Sequence, residues 1–299
     1  MEPWIIATLV AAAAQTARFA LQRHLKRTGL SVAGATFSRF VFSAPLVALG
    51  VVTGAWLARV PLPVPPPNFW AFALPGGIAQ ILATACVIAM FSLRNFAVGI
   101  AFKKSEAVLT GVVGIVVLGE TLSLGAWIAI GIGVLALLLL SQEDARGWSW
   151  GALLSRATAL GLGSGLLFSF SAVLYRGATL QIPELPVLLR AGLTLACVTA
   201  WQTCVLGAWL AFRERGELTR VARHWRVAAL VGVTSLVGSY GWFTAFALQS
   251  AALVKALGQV EVILSILVTT LVLGERMRAR EGWAIAGLTA SILLLIWVG

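Results

Sequence analysis

Apolar residues fill long, nearly unbroken stretches of this chain, and polar residues gather in short intervals between them. A helix needs about 20 consecutive apolar residues to cross a bilayer. Hydropathy predicts ten such helices, over 3–22, 33–57, 69–92, 97–118, 122–141, 150–175, 187–211, 226–248, 251–273 and 282–298. Tryptophan prefers the headgroup boundary, and most Trp residues fall at the edges of these spans; Trp201 and Trp242 lie inside them. Proline refines the pattern, because it lacks the amide that would continue a helix. The loop 58–68 (ARVPLPVPPPN) reads as a stiff connector, and Pro45 and the Pro75-Gly76-Gly77 triplet predict kinks, static or hinge-like, inside spans. The spacing of Gly161 and Gly165 predicts close helix packing.

The pattern occurs twice. Residues 91–120 (FSLRNFAVGIAFKKSEAVLTGVVGIVVLGE) realign without a gap on 246–275 (FALQSAALVKALGQVEVILSILVTTLVLGE), and the same offset of 155 pairs Trp70 with Trp225 and Gly77 with Gly232. Arg39 with Arg190 and Arg23 with Arg176 match more loosely. The chain divides into a first repeat, 1–145, and a second, 146–299, with five spans each. An odd number of spans per copy makes the copies upside down to each other, an architecture that sets a binding site at their shared midplane. The expected fold is therefore an all-α integral membrane protein of about ten transmembrane helices, arranged as two inverted five-helix repeats.

Composition excludes several classes of function. With 60% hydrophobic and 11% charged residues the chain is not that of a soluble protein. Its net charge of +11 lies in short loops, where attraction to anionic lipid and control of topology account for it and nucleic acid is not implied. Loops after odd-numbered spans carry thirteen basic residues, from Arg23 to Arg280, while loops after even-numbered spans carry only Arg59 and Arg176. By the positive-inside rule the odd loops are cytoplasmic and both chain ends lie outside, in a cell's inner membrane, with the first helix retained and not cleaved as a signal. Cys86, Cys197 and Cys204 fall within spans and read as packing residues, with no metal spacing. His24 and His224 lie in loops, and no catalytic constellation or cofactor motif is present, so an enzyme is not expected.

Three features together carry a family resemblance: five-helix halves, an arginine early in the second span of each half (Arg39 in SRF, Arg190 in LRA), and Leu118-Gly119-Glu120 matched by Leu273-Gly274-Glu275 closing each fourth span. They resemble the drug/metabolite transporter superfamily, in particular its ten-helix EamA-type members, over nearly the whole chain. The resemblance implies a central cavity between inverted repeats and a small-molecule solute moved by alternating access, often outward. The chain departs from that pattern at Ala107 and Val262, which follow Glu106 and Glu261 where many relatives have proline. It also departs in its loop charges, since relatives are usually drawn with cytoplasmic ends.

Charges inside a span cost roughly 2.5–3.5 kcal/mol each on insertion scales, so they face a cavity or a partner. The fourth span holds Lys103, Lys104 and Glu106; the ninth holds Lys255 and Glu261, and the two glutamates are repeat equivalents. Lys103 and Glu106 are spaced to share a helix face, as are Lys255 and Gln259, whereas Glu261 lacks a basic neighbour on its own helix and needs one from the other half. Gln15 with Arg18 on the first span extends a polar wall, and Tyr240 and Trp242 in the eighth are placed to stack on a solute.

Two readings fit these groups. In one they line a site of net charge +1 suited to an anionic or zwitterionic metabolite, with Glu106 and Glu261 carrying coupled protons or simply binding the solute in facilitated or multidrug-type efflux. In the other they are an ion-pair network that fixes the packing of a non-transporting scaffold. Arg39 and Arg190, about two turns inside their spans, read as anchors that snorkel to the interface. Glu120 and Glu275 read as carboxylates complementing the following helix start. The solute and the lipid bilayer are the expected partners, protons a further one under coupling, and the oligomeric state is left open.

Overall fold

The computed structural model describes residues 2–93, 102–141, 155–264, 266 and 279–298. Among them there are helices and no strands. α1 (Pro3–Arg27) starts at a proline, whose missing amide is harmless in a first turn. Ser31 then caps α2 (Val32–Val41) by accepting the Gly34 amide at 2.9 Å. α2 and α3 (Ser43–Ala58) together form the expected second span, interrupted at Phe42. Pro45 explains the interruption, because the Val41 carbonyl loses its helical donor there. The Ser43 hydroxyl donates back to the preceding turn, to Arg39 O (2.8 Å) and Phe40 O (3.2 Å).

Arg59, at φ 54°, ends α3, and the proline-rich segment leads to α4 (Pro67–Met90), which runs unbroken through Pro75. α5 (Glu106–Leu118) ends at Gly119, whose φ of 66° turns the chain toward α6 (Leu124–Ser141). α7 (Arg156–Leu180) is capped by Ser155, and α8 (Val187–Arg213) follows. A short α9 (Glu217–Arg223) precedes α10 (Trp225–Leu248), α11 (Ala251–Leu257) and α12 (Ala279–Val298). Among the described residues six helices, with α2 and α3 counted as one, are long and apolar enough to cross a membrane.

The expected fourth and ninth spans are not continuous. Residues 102–103 are helical, 104–105 form a turn, and α5 begins at Glu106; likewise α11 stops at Leu257, 258–259 form a turn, and helix resumes at 260. With the offset of 155 applied, the two turns coincide to within one residue. The leading part of the fourth span and the trailing part of the ninth fall outside the described residues.

Most of the extensive packing joins the first six helices to the last six. α1 lies along α10, α4 along α7, α6 along α12, α3 against α8, and α5 against both α7 and α11. Small residues permit this proximity. A Cβ added to Gly241 of α10 would lie 2.7 Å from the Ala7 carbonyl oxygen of α1. The Gly161/Gly165 pair has a more pointed role than general packing, since a Cβ at Gly165 would stand 3.0 Å from the Lys103 carbonyl oxygen, so α7 presses on the first turn.

The outside of the bundle is apolar: Leu49, Val52, Val116, Phe212 and Trp297 are exposed, as suits helices surrounded by lipid and not by water. Glu217 is an exception to the polar-outside pattern of the loops. It is buried, its Oε1 accepts the Ser31 amide at 2.6 Å and its Oε2 pairs with Arg220 at 2.9 Å, so α9 is pinned to the positive start of α2.

Candidate functional site

The two helix breaks bring their charged residues together. Lys103 meets Glu106 Oε2 at 3.0 Å, as the spacing on one helix predicted. Lys255, from the second half, reaches the other oxygen of the same carboxylate at 2.7 Å. Lys104 pairs with Glu261 across the two halves, the partner that Glu261 required, and Gln15 of α1 donates to Glu261 Oε2 at 2.8 Å. Arg18 donates to Gln15 Oε1 over 3.4 Å. The connections are thus crossed: a first-half lysine serves the second-half carboxylate, and a second-half lysine the first-half one. All four groups of these cross-pairs are at least five-sixths buried, so the charges compensate each other at short range where water cannot.

Aromatic rings complete the enclosure. The Lys255 ammonium lies 4.6 Å from the Trp242 ring centroid and 5.6 Å from that of Phe168, and Lys103 lies 5.1 Å from Phe168. Trp242 stacks near Phe246 and occupies the space left by Gly258, where a Cβ would come within 2.4 Å of its ring. A cavity of about 20 Å³ is lined by the Lys/Glu cluster with Gln15, Gln259 and Trp242. A second, also of about 20 Å³, shares Gln15, Trp242 and Lys255 with the first and continues to Arg39, Gln80, Ser239 and Tyr175. Both are narrow, with room for about one water molecule at a time.

Several expected roles change. Arg39 does not anchor at an interface: it is 2% exposed, and it donates to Ser235 (3.0 Å), Thr84 (3.0 Å) and Ser239 (3.2 Å) on α10 and α4, which a guanidinium inside a bundle needs in place of water. Arg190 is half-buried and donates to the Ala247 carbonyl at 3.2 Å. Glu120 turns away from the next helix start to pair with Arg176 of α7, whose Nη1 also caps α10 through the carbonyls of Phe246 and Gln249, both at 2.7 Å. Glu275 lies outside the described residues.

Lys255 bonds Glu106 and not Gln259; the Gln259 Oε1 is buried without a hydrogen-bond donor. Tyr240 stands apart from the charged cluster. Its hydroxyl donates to the Leu188 carbonyl at 2.8 Å, and its ring lines an apolar groove among α1, α3, α8 and α10. Of the two tryptophans inside spans, Trp242 belongs to the site and Trp201 packs on Gly77.

The sequence reading missed Phe168, Phe246, Gln80, Tyr175 and Gln202. Gln202 donates to Gly77 O (3.0 Å), Gln80 Oε1 (3.0 Å) and Tyr175 Oη (3.2 Å), a polar chain behind the second cavity. Glutamines within apolar spans were the available signal, since each needs buried partners. Among the described residues no group of His, Cys, Asp and Glu is arranged to hold a metal, and the three cysteines are free.

No protein-family model matches the chain, and no curated protein matches it. Twenty-eight chains among solved structures do match. One of them, described only as a crystal structure of a protein, is 16% identical with a TM-score of 0.66, over 98% of this chain and 99% of its own. At that identity the likeness extends to the fold alone: an all-helical bundle shared from end to end.

Proposed function

We propose that this chain is a secondary transporter of the ten-helix drug/metabolite type, built from two inverted five-helix repeats and exporting a small anionic or zwitterionic metabolite across a cell's inner membrane by alternating access. The observation that carries the proposal is the crossed cluster Lys104–Glu261 and Lys255–Glu106, which lines a cavity from both halves of the chain at two matching helix breaks. Internal duplication, pairing of helices between the halves, and broken helices carrying charge at matching positions of the two halves all support this architecture. A scaffold has no need of charges at equivalent depths in both copies.

In the working cycle a solute anion takes a lysine from its carboxylate, and the released carboxylate accepts a proton, so that solute and proton exchange places at one cluster. The narrow cavities match a closed conformation in which the ion pairs stand in for the solute. A second reading, facilitated exchange without protons, is favoured by one observation: each carboxylate is already satisfied by lysine. Reconstituted vesicles decide between them. A metabolite panel with and without an imposed pH gradient should reveal gradient-driven flux that Glu106→Gln and Glu261→Gln each abolish. Flux indifferent to the gradient leaves only the uncoupled reading, and no flux for any small solute overturns transport.

A further inference from the structure

The buried charge around the two cavities does not balance. The three lysines share the two carboxylates, yet Arg18 and Arg39 are each only 2% exposed beside them. Arg18 has the amide of Gln15 as its hydrogen-bond partner, with Glu261 beyond it. Arg39 has three hydroxyls, which satisfy three of its five N–H donors but none of its charge. Five cations therefore face two carboxylates among the described residues. Uncompensated charge in such surroundings is costly, and a bound anion is the ordinary remedy.

The placement of the surplus is specific. Arg39 lines the second cavity, away from the first, while Lys255, Trp242 and Gln15 border both cavities. The second cavity that Arg39 and Lys255 share also has aromatic walls, Phe168, Trp242 and Phe246, whose rings stand around the Lys255 ammonium. We infer that the site takes a dianionic organic solute, one anionic group received at Arg39 and Ser239, the other at Lys255, with its apolar middle against the rings. A zwitterion would set its ammonium against one of two cationic ends, so it is disfavoured. This inference rests on the transporter reading for its physiological meaning, but binding tests it separately.

Three probes share a four-carbon skeleton and differ only in their ends: succinate, butyrate and 4-aminobutyrate. Each is titrated by calorimetry into the full-length protein in lipid nanodiscs at constant ionic strength. Succinate is expected to bind at least about tenfold more tightly than either of the others. In Arg39→Gln that preference should fall to about threefold or less, Arg39→Lys should restore part of it, and Arg190→Gln, which removes a cation outside the cavities, should leave it intact. Equal affinity for succinate and butyrate, stronger binding of 4-aminobutyrate, or a preference that survives Arg39→Gln would each overturn the inference. Should Arg39→Gln not fold, the wild-type ratio and Ser239→Ala, expected to weaken succinate and spare butyrate, remain decisive. A succinate preference without flux in vesicles would sink transport and keep the dianion site; flux of monovalent solutes without a dianion preference would do the reverse.

Discussion

At the first helix break the chain has Lys103, and at the matching position of the second it has Gly258. Lys103 stays with Glu106 of its own half, 3.0 Å away across the break. Gly258 leaves room instead, and the Trp242 indole fills it. The lysine of the second copy stands one turn earlier, as Lys255, and crosses to Glu106. As a result Glu106 is held by two lysines, while Glu261 is held by one lysine and an amide. The two copies have become complementary and not interchangeable: one contributes the more heavily bound carboxylate, the other the aromatic wall.

The comparison can be broken most directly at its carboxylates. Glu106→Gln strands two buried lysines and should destabilise the protein by about 3–5 kcal/mol, more than Glu261→Gln, which strands one. Thermal and denaturant unfolding in one detergent rank the two; equal effects would show that the second lysine contributes nothing. A smaller effect measures the crossing itself. Lys104→Gln with Glu261→Gln should cost less than the sum of the single changes, with a coupling of about 1–3 kcal/mol, and strict additivity would mean that these residues do not interact. The smallest effect is at the glycine. Gly258→Ala must displace the Trp242 ring and should cost about 1 kcal/mol by overpacking, with a shift in tryptophan emission; no change in either would place the ring elsewhere.

Much of the fold was legible because lipid imposes length and apolarity on each span, and proline marks its interruptions. The break at Phe42 could be read from Pro45. The breaks at 104–105 and 258–259 could not, because polar residues inside a span do not by themselves end a helix and no proline announces them. In the site, the Lys103–Glu106 pair followed from helical spacing and the foreign partner of Glu261 from its absence. Depth along a span misled for Arg39, whose hydroxyl partners lie on helices 45 and about 200 residues away in sequence. Tyr240 and Trp242 are two apart, which puts them on different faces of α10, and one-dimensional pattern does not say which face meets the cluster. Glu217 was hidden in a basic loop because its partner, the Ser31 amide, is 186 residues distant.

The crossed pairs also set a condition on how the protein is made. Synthesis runs from the N-terminus, so Lys104 enters the bilayer 157 residues before the carboxylate that neutralises it. Glu106 has its own Lys103 in the meantime, but Lys104 has nothing equivalent on its helix, and an intramembrane charge costs roughly 2.5–3.5 kcal/mol while it waits. The segment that carries Lys104 is accordingly a poor passenger for lipid until the segment that carries Glu261 arrives to meet it. A ribosome that stops at the end of the first half releases a chain whose Lys104 has lost the carboxylate that would neutralise it.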